Sequence, residues 1–431
     1  MNVPAPTHKY EIELPDHTEK DRPNFIDFTE GKNGKVSLAN TDLNLVALGE
    51  YHGLGFRFNM MNFQPEVYEI FGDSLPVNFD QLRSKLISAA SRYGLPKATI
   101  DDHLAAICQN NKYHPLKEWL DVGLWDGVNR LSKVIDCLNA KHEDVAKIVM
   151  TRWLIGAVAS LYEPIFKSKL VPVLQGGQSF KKTAFVERVA LVMDHAFLEG
   201  AELNPDSKDS VLTCIRAWVV ELGELERTNR NSQGSLKACL TKAKDTVRPP
   251  YARNDIQKPR QTNFIATVNG TDFLKDETGS TRFAVIEMDK AADMDSLNFI
   301  LGWEYDGTGS IKQTNPSFLK QFWLEVKALY MIGEGWQLTA AELNKLALIN
   351  DEFNDNGSWY DYILGNYIEA DTITCHLGWF TAGKLVEIDG NLKASDTKQI
   401  GKALTKLDKH GLITSKKGSG NRRLYHFKTS Q

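Results

Sequence analysis

The chain has 431 residues, of which 42% are hydrophobic and 25% charged, and this composition excludes a disordered or collagen-like protein. A formal net charge of -4 excludes a uniformly basic, histone-like surface. The length predicts two or three domains of roughly 150 residues each. The five cysteines are scattered and no two are spaced to share a zinc ion, so we expect reduced thiols and a cytoplasmic protein.

The first part of the chain is predicted to be helical after a polar start. Residues 1–34 are expected to form a poorly ordered lead-in, and residues 35–165 a mostly helical N-terminal domain. Apolar spacing predicts one of its helices over Phe79–Tyr93. The longest apolar stretch, Trp153–Tyr162, is shorter than the ~20 residues that a membrane-spanning helix needs. It predicts a buried helix, and we expect no membrane partner.

The middle of the chain has a different pattern. Over residues 166–290, short apolar runs alternate with helical stretches, and residues 315–350 return to helix, so we place one domain at residues 166–350. This alternation predicts an α/β domain with a mostly parallel sheet flanked by helices. An Asn- and Asp-rich loop at Asp351–Ser358 indicates its end, and residues 358–431 are predicted to form a smaller domain.

The most informative segment follows the strand predicted at Leu170–Leu174. A P-loop has Gly, four residues, Gly, Lys and then Ser or Thr at the start of a helix. The helix N-terminus and its dipole then bind phosphate groups. In this reading Lys182 reaches the β- and γ-phosphates of ATP, and the Thr183 hydroxyl holds Mg²⁺. The predicted ATP-binding residues are Gly176, Gly177, Gln178, Ser179, Phe180, Lys181, Lys182 and Thr183.

This segment departs from the P-loop pattern at one position, because Lys181 stands where the second glycine belongs. Lysine lacks the freedom of glycine at positive φ, so a left-handed conformation there would cost about 1 kcal/mol. An ordinary strand, turn and helix with surface lysines is the alternative interpretation of the segment.

Two later strands are predicted to end in polar side chains. Glu221 and Glu224 lie at the end of the apolar run that starts at Ala217, and a P-loop ATPase needs acids there for Mg²⁺ and for the attacking water. We assign Glu221 to the metal and Glu224 to the water. Asn269 follows the strand Phe264–Val268 and is predicted to sense the γ-phosphate. Alternatively, both glutamates face solvent and Asn269 belongs to a plain turn.

Phosphoryl transfer is often assisted by an arginine that a neighbouring subunit supplies in trans. Arg282 immediately precedes a predicted strand and is our candidate for this residue. Arg248, Arg253 and Arg260 remain alternatives.

The C-terminal segment is basic. Residues 384–431 contain eleven Lys or Arg and four Asp or Glu, a net charge of +7 in a chain whose total is -4. An amphipathic helix over Thr397–Leu407 is followed by a strand, a basic loop and a second strand, an order that resembles a winged helix. A solubilising lysine face is the alternative. The predicted DNA-binding residues are Lys398, Lys402, Lys406, Lys416, Lys417, Arg422 and Arg423.

Together, these motifs resemble the virulence-associated protein E family, phage- and island-encoded ATPases related to superfamily III helicases within the AAA+ class. The matching stretches are Tyr113–Leu120, Trp125–Gly127, Arg130, Gly176–Thr183, Val219–Leu225, Leu236–Ala238, Asp245, Val247–Tyr251, Thr267–Asn269, Phe273–Gly279 and Arg282–Phe283.

The resemblance implies a AAA+ core and an ATP-driven DNA helicase or replication-initiation ATPase of a mobile element. The protein would act in the cytoplasm of a bacterial host, on single-stranded DNA or on duplex origin DNA. It would form a homo-oligomeric ring, expected to be a hexamer, in which each ATP site takes an arginine from the next subunit. The alternative is a non-motor DNA-binding protein of replication or interference, in which a degenerate P-loop only stabilises the assembly.

Overall fold

The computed structural model describes residues 22–70, 79–223, 233–247, 256–270, 282–351, 353, 357–369 and 378–427. The chain divides into two compact units, Met1–Gly123 and Leu124–Gln431. The strands and helices of the first unit are β1 (Phe28–Glu30), β2 (Val36–Leu38), α1 (Asp42–Tyr51), β3 (Leu54–Asn59), β4 (Gln64–Glu69), α2 (Phe79–Tyr93), α3 (Ala98–Asn110), β5 (Lys112–Tyr113) and α4 (Pro115–Asp121).

The first unit combines the predicted helices with a sheet that the sequence analysis does not anticipate. Helix α2 has the predicted bounds. Strands β4, β3 and β5 form a sheet in that order, with β3 antiparallel to β4. Phe56 and Phe58 on β3 are buried with Val67 of β4 in the core of this unit, whereas Arg57 between them is only half-buried. The alternation of apolar and polar residues along β3 is the pattern of a strand with one buried face.

The second unit carries the larger sheet. Its elements up to residue 351 are α5 (Leu131–Asp136), α6 (Glu143–Tyr162), β6 (Val171–Gln175), α7 (Lys182–Ala190), β7 (Phe197–Leu198), α8 (Lys208–Ile215), β8 (Val219–Leu222), α9 (Gln233–Thr241), β9 (Lys244–Val247), β10 (Ile256–Pro259), β11 (Asn263–Val268), β12 (Phe283–Glu287), α10 (Met294–Leu301), β13 (Trp303–Tyr305), β14 (Ile311–Gln313), α11 (Pro316–Met331) and α12 (Ala340–Asp351).

Five of these strands form one parallel sheet in the order β12-β6-β11-β8-β7. Strands β6, β8 and β11 are buried along their whole lengths, as expected for a parallel sheet with helices against it. The predicted α/β fold with a mostly parallel, helix-flanked sheet is therefore confirmed. Because all five strands run the same way, their carboxyl ends meet at one edge, and β11 lies between β6 and β8.

Helix α6 lies against this sheet, although it falls within residues 35–165, the predicted N-terminal domain. The indole nitrogen of Trp153 donates a hydrogen bond to the carbonyl of Phe264 on β11, over 2.9 Å. Within the described residues, α6 is the one helix long and apolar enough to cross a membrane, and 72% of its most apolar window is buried inside the protein. The buried helix predicted at Trp153–Tyr162 is confirmed.

The chain after residue 357 forms a small helical bundle capped by a hairpin. Its elements are α13 (Ser358–Ile363), a π-helix (Leu364–Glu369), α14 (Ala382–Ile388), a 3-10 turn (Ala394–Asp396), α15 (Thr397–Lys409), β15 (Ile413–Lys417), a 3-10 turn (Ser419–Asn421) and β16 (Arg423–Phe427). Helix α15 buries Ile400, Leu404 and Leu407 in a core of this segment's own, as the amphipathic spacing predicts.

Candidate functional site

The loop between β6 and α7 is tightly packed. A Cβ atom on Gly176 would lie 2.7 Å from the ring of Phe180, and one on Gly177 would lie 3.0 Å from it. Both positions leave little room for a side chain, because the Phe180 ring folds back over the first residues of the loop. The Phe180 carbonyl accepts a hydrogen bond from the Ala292 amide over 3.0 Å, which ties the loop to the chain beyond β12.

Two non-glycine residues of this loop have left-handed backbone conformations. Ser179 has a φ of 70°, and Lys181, which precedes the first residue of α7, has a φ of 60° and a ψ of 28°. Lys181 thus adopts the conformation for which the P-loop pattern uses glycine. Strain of this kind costs about 1–2 kcal/mol per residue and concentrates at functional sites.

The ammonium group of Lys182 is held at the carboxyl edge of the sheet. Its Nζ donates hydrogen bonds to the carbonyls of Gly176 and Gly177, over 2.8 and 2.9 Å, and to Oδ1 of Asn269 over 2.8 Å. Asn269 reaches Lys182 because β11 is the immediate neighbour of β6. Burial lowers the pKa of Lys182, and the nearby carboxylate of Glu221 opposes this shift. The loop, its lysine and Asn269 therefore form one cluster.

A second group of contacts centres on Glu221, which is 1% exposed. Its Oε1 accepts hydrogen bonds from the hydroxyls of Thr183 and Thr267, over 2.6 and 2.7 Å, and its Oε2 accepts one from the Gly200 amide over 3.0 Å. A buried carboxylate is costly unless it is paired or hydrogen-bonded in this way. Glu221 and Thr183, assigned separately from the sequence, are in direct contact.

The oxygen atoms of Thr183 and Glu221 suit a magnesium ion. Mg²⁺ is usually bound by one or two carboxylates together with substrate phosphates and water. The described residues include no group of three or more His, Cys, Asp and Glu that would hold a metal alone. A magnesium ion held here would therefore depend on phosphate oxygens for part of its coordination.

Glu199 is a member of this edge that the sequence analysis missed. Leu198 at the end of β7 pairs with Val220 on β8. The residues that follow these two, Glu199 and Glu221, are therefore neighbours. Desolvation of the carboxyl and the negative charges of Glu221 and Glu187 raise the pKa of Glu199, which is exposed at the rim. A short apolar run followed by an acid, Phe197–Glu199, is the sequence signal, but it becomes informative only once β7 is known to pair with β8.

Other predicted site residues lie elsewhere. Arg282 precedes β12, whose first residue pairs with Val171 at the start of β6, so Arg282 is at the edge of the sheet opposite the loop. Arg260 is 4% exposed and its guanidinium binds Asp245 with two hydrogen bonds of 2.7 Å, which makes it a structural residue. Glu224, Arg248 and Arg253 lie outside the described residues.

A comparison with protein families matches the virulence-associated protein E-like domain to residues 120–355, more than half of the chain. The chain belongs to this family. The matched range contains the loop between β6 and α7, Glu221 with its hydrogen-bond partners, and the whole parallel sheet. The resemblance identified from the motifs is confirmed.

The virulence-associated protein E-like chain also has similar solved structures. One is the apo structure of the NrS-1 C-terminal region, residues 305–718, with a TM-score of 0.45 and 11% identity over 90% of this chain and 99% of that chain. Another is the A form apo structure of the same region, with a TM-score of 0.49 and 14% identity over 90% of this chain and 100% of that chain. No curated protein matches this sequence.

The basic residues of this virulence-associated protein E-like chain lie on two surfaces of the C-terminal bundle. Lys398, Lys402 and Lys406 follow one face of α15, opposite its buried face. Lys402 and Lys406 also line a cavity of about 260 Å³ together with Trp359 and Gln399. The lysine face of the helix is therefore partly a cavity wall.

The hairpin of β15 and β16 carries the other four predicted residues. Lys417 and Arg422 are exposed near its turn. Lys416 lies over the indole of Trp379, with Nζ 3.9 Å from the ring centroid. Arg423 donates a hydrogen bond to Asp408 of α15 over 3.0 Å, so part of its charge is neutralised within the protein.

Proposed function

We propose that this protein is an ATP-hydrolysing helicase or replication-initiation ATPase of a phage or other mobile genetic element, which unwinds or melts DNA. The observation that carries the proposal is the pair of contacts at the carboxyl edge of the sheet, Lys182 with Asn269 and Thr183 with Glu221. They join a phosphate-binding loop to the polar ends of two neighbouring strands, which is the arrangement that phosphoryl transfer to water requires.

Each residue has a definite part in this proposal. The first amides of α7 and the Lys182 ammonium bind the β- and γ-phosphates, since helix N-termini leave N–H groups for an anion. Exchanging one hydrogen-bond partner of Lys182 for a phosphate oxygen keeps its three donors satisfied. Thr183 and Glu221 hold Mg²⁺, which when bound neutralises the charge that develops on the phosphates.

Asn269 senses the γ-phosphate through its contact with Lys182. Its side-chain amide nitrogen would donate a hydrogen bond to the γ-phosphate, while its carbonyl oxygen accepts one from the Lys182 ammonium and keeps that group in position. Glu224 is proposed to orient the attacking water. The loop strain at Ser179 and Lys181 supports a functional conformation, because strained conformations persist where the surrounding structure enforces them.

The position of Arg282 supports a role in trans. The five residues of β6 separate the start of that strand from the loop, a span of roughly 17 Å at about 3.3 Å per residue. Arg282 is therefore too far from the loop of its own chain, and we propose that it reaches the site of a neighbouring subunit. This role requires an adjacent subunit, and we propose that the subunits form a ring, a hexamer.

The C-terminal bundle is proposed to be a winged-helix DNA-binding domain. Helix α15 followed by the β15–β16 hairpin supports this, with Lys398, Lys402 and Lys406 on the helix and Lys416, Lys417, Arg422 and Arg423 on the hairpin. Their cations would contact phosphates and add salt-dependent affinity that does not depend on sequence.

The experiment that tests the motor function measures ATP hydrolysis with and without DNA, and strand displacement on a forked duplex. We expect DNA to stimulate hydrolysis by the wild type and Lys182→Ala to lose at least ~100-fold of the rate. A wild type that hydrolyses ATP no faster than Lys182→Ala, yet binds DNA, would instead establish the non-motor DNA-binding protein. The feature that favours that alternative is Lys181 at the glycine position.

A further inference from the structure

An exposed tryptophan, Trp379, lies beside the C-terminal hairpin and is not among the residues proposed above to bind phosphates of DNA. Trp379 is 43% exposed, although tryptophan is usually among the most buried residues of a folded domain. Its neighbour Phe380 is 3% exposed and belongs to the core of the bundle. Because the next residue is buried, the exposure concerns the Trp379 side chain itself.

Strand pairing explains why this indole faces outward. Phe380 forms a β-bridge with Tyr425, with hydrogen bonds of 2.9 and 2.8 Å between their backbones, and so extends the hairpin by a third strand segment. Side chains alternate between the two faces of a strand. Because Phe380 and Tyr425 point into the core, Trp379 and His426 point to the other face, where Lys416 of β15 also lies.

The outer face of the hairpin thus combines an aromatic surface with cations. The His426 ring centroid is 5.4 Å from that of Trp379, and the Lys416 ammonium is 3.9 Å from the indole centroid. Arg422 is exposed near the turn of the same hairpin, whereas Lys417, the residue after Lys416, points to the opposite face. An aromatic platform within a positively charged surface is how proteins bind single-stranded nucleic acid, since every base has a face that stacks.

We infer that Trp379, with Lys416 and His426 beside it, is a stacking site for an unpaired base of single-stranded DNA. The inference rests on the proposed DNA-binding function of the C-terminal bundle and adds the kind of DNA that it binds. In duplex DNA the faces of the bases are covered by their neighbours, so an indole can stack only on an unpaired or terminal base. The hairpin would then favour DNA with a single-stranded part over a blunt duplex, which offers only its two end base pairs for stacking, and phosphate contacts alone do not give this preference.

The test is a titration of the full chain with three labelled DNAs, a single-stranded oligonucleotide, a forked duplex with single-stranded tails and a blunt duplex, followed by fluorescence anisotropy. We expect Trp379→Ala to weaken binding of the single strand and the fork about tenfold, the effect of losing one stacked base, and binding of the blunt duplex less than about twofold. Trp379→Phe, which keeps an aromatic face, should retain most of the affinity.

The control is Lys417→Gln on the same hairpin. It removes a cation without removing an aromatic ring, so it should weaken all three DNAs by a similar factor. Thermal unfolding of each variant reports whether the fold is intact, and we expect it to match the wild type because Trp379 and Lys417 are at the surface.

The outcomes separate the two proposals. A wild type that binds all three DNAs, with Trp379→Ala equal to the wild type or uniformly weaker, would overturn the stacking site and leave the DNA-binding function standing. A wild type that binds none of the three would overturn the DNA-binding function and the stacking site with it. If Trp379→Ala loses affinity only for the single strand and the fork, the result supports both the DNA-binding function and the stacking site.

Discussion

The carboxyl edge of the parallel sheet carries buried charges, whereas the basic surface of the C-terminal bundle carries exposed ones. At the sheet edge, Lys182 and Glu221 are buried and each accounts for three hydrogen bonds. On the C-terminal bundle, Lys398, Lys417 and Arg422 are exposed to solvent. The buried charges at the sheet edge are fixed in position before a ligand arrives, whereas the exposed cations of the C-terminal bundle are screened by salt.

This difference predicts different consequences of substitution. Removing a buried, hydrogen-bonded charge leaves its partners unsatisfied and changes chemistry or stability by large factors. Removing an exposed cation changes affinity by a modest factor that depends on ionic strength. Substitutions of buried and of exposed charges test this contrast, from the largest expected effect to the smallest.

The largest effect is expected at Glu221. Glu221→Gln keeps the shape of the side chain but removes the charge that would hold Mg²⁺, so we expect ATP hydrolysis to fall about 100-fold or more while nucleotide binding changes only a few-fold. Steady-state kinetics measure ATP hydrolysis, and titration with a slowly hydrolysed ATP analogue measures nucleotide binding. Glu199→Gln, directly after the neighbouring strand β7, is the matched control and should cost less than about tenfold. Equal losses in the two variants would contradict the assignment of the metal to Glu221.

A buried ion pair away from the loop should affect stability and leave the chemistry intact. Asp245 and Arg260 are 3% and 4% exposed, and Asp245→Ala would strand the guanidinium in the protein interior. We expect the free energy of unfolding to fall by about 3–5 kcal/mol, measured by denaturant titration. Glu387→Ala, which breaks the exposed pair with Lys384, should cost less than about 1 kcal/mol. If the two variants lost similar free energies of unfolding, the expected difference between buried and exposed ion pairs would be wrong.

Two adjacent arginines of the hairpin should differ in their contribution to DNA binding. Arg422→Gln should lower the slope of log affinity against log salt by about 0.9 for a duplex. Arg423→Gln should lower it by less than half as much, because Arg423 already pairs with Asp408. Binding titrations at several salt concentrations measure both slopes. A larger change for Arg423 than for Arg422 would mean that the pair with Asp408 opens when DNA binds.

The smallest effect concerns the strained loop. Lys181→Gly relieves a left-handed conformation that costs about 1 kcal/mol, and the greater freedom of glycine in the unfolded chain offsets about half of this gain. We therefore expect the free energy of unfolding to rise by about 0.5 kcal/mol. Lys181→Ala removes the same charge but keeps Cβ, so it should give no gain. An equal gain in both variants would attribute the effect to charge instead of backbone strain.

Local patterns in the sequence predict much of this site. The strand, loop and helix around Gly176–Thr183 lie close together in the chain, and each has a short-range signal in glycine, lysine or apolar spacing. The left-handed conformation of Lys181 also follows from its place in the pattern. The amphipathic spacing of α15 likewise fixes which of its residues are buried.

Contacts that depend on the order of the strands in the sheet cannot be predicted from such local patterns. Thr267 reaches Glu221 because β11 lies beside β8, and Glu199 is next to Glu221 because β7 takes the edge position. Neither arrangement follows from the spacing of residues along the chain. Trp379 is a similar case, since only the pairing of Phe380 with Tyr425 turns its indole outward.

The hairpin of β3 and β4 shows a different limit. It falls in residues 35–165, which the sequence analysis expects to be mostly helical. The apolar residues of β3 repeat every second position over only six residues, a signal that is weak beside the longer helical patterns around it.

The most direct test of the central claim, that the loop after β6 binds a polyphosphate through Lys182, is a binding titration with a slowly hydrolysed ATP analogue and Mg²⁺. The wild type should bind, Lys182→Ala should bind at least ~100-fold more weakly, and Lys181→Ala, at the exposed neighbouring position, should stay within about threefold of the wild type. A wild type that does not bind the analogue, or a Lys182→Ala variant that binds it as tightly as the wild type, would contradict the claim.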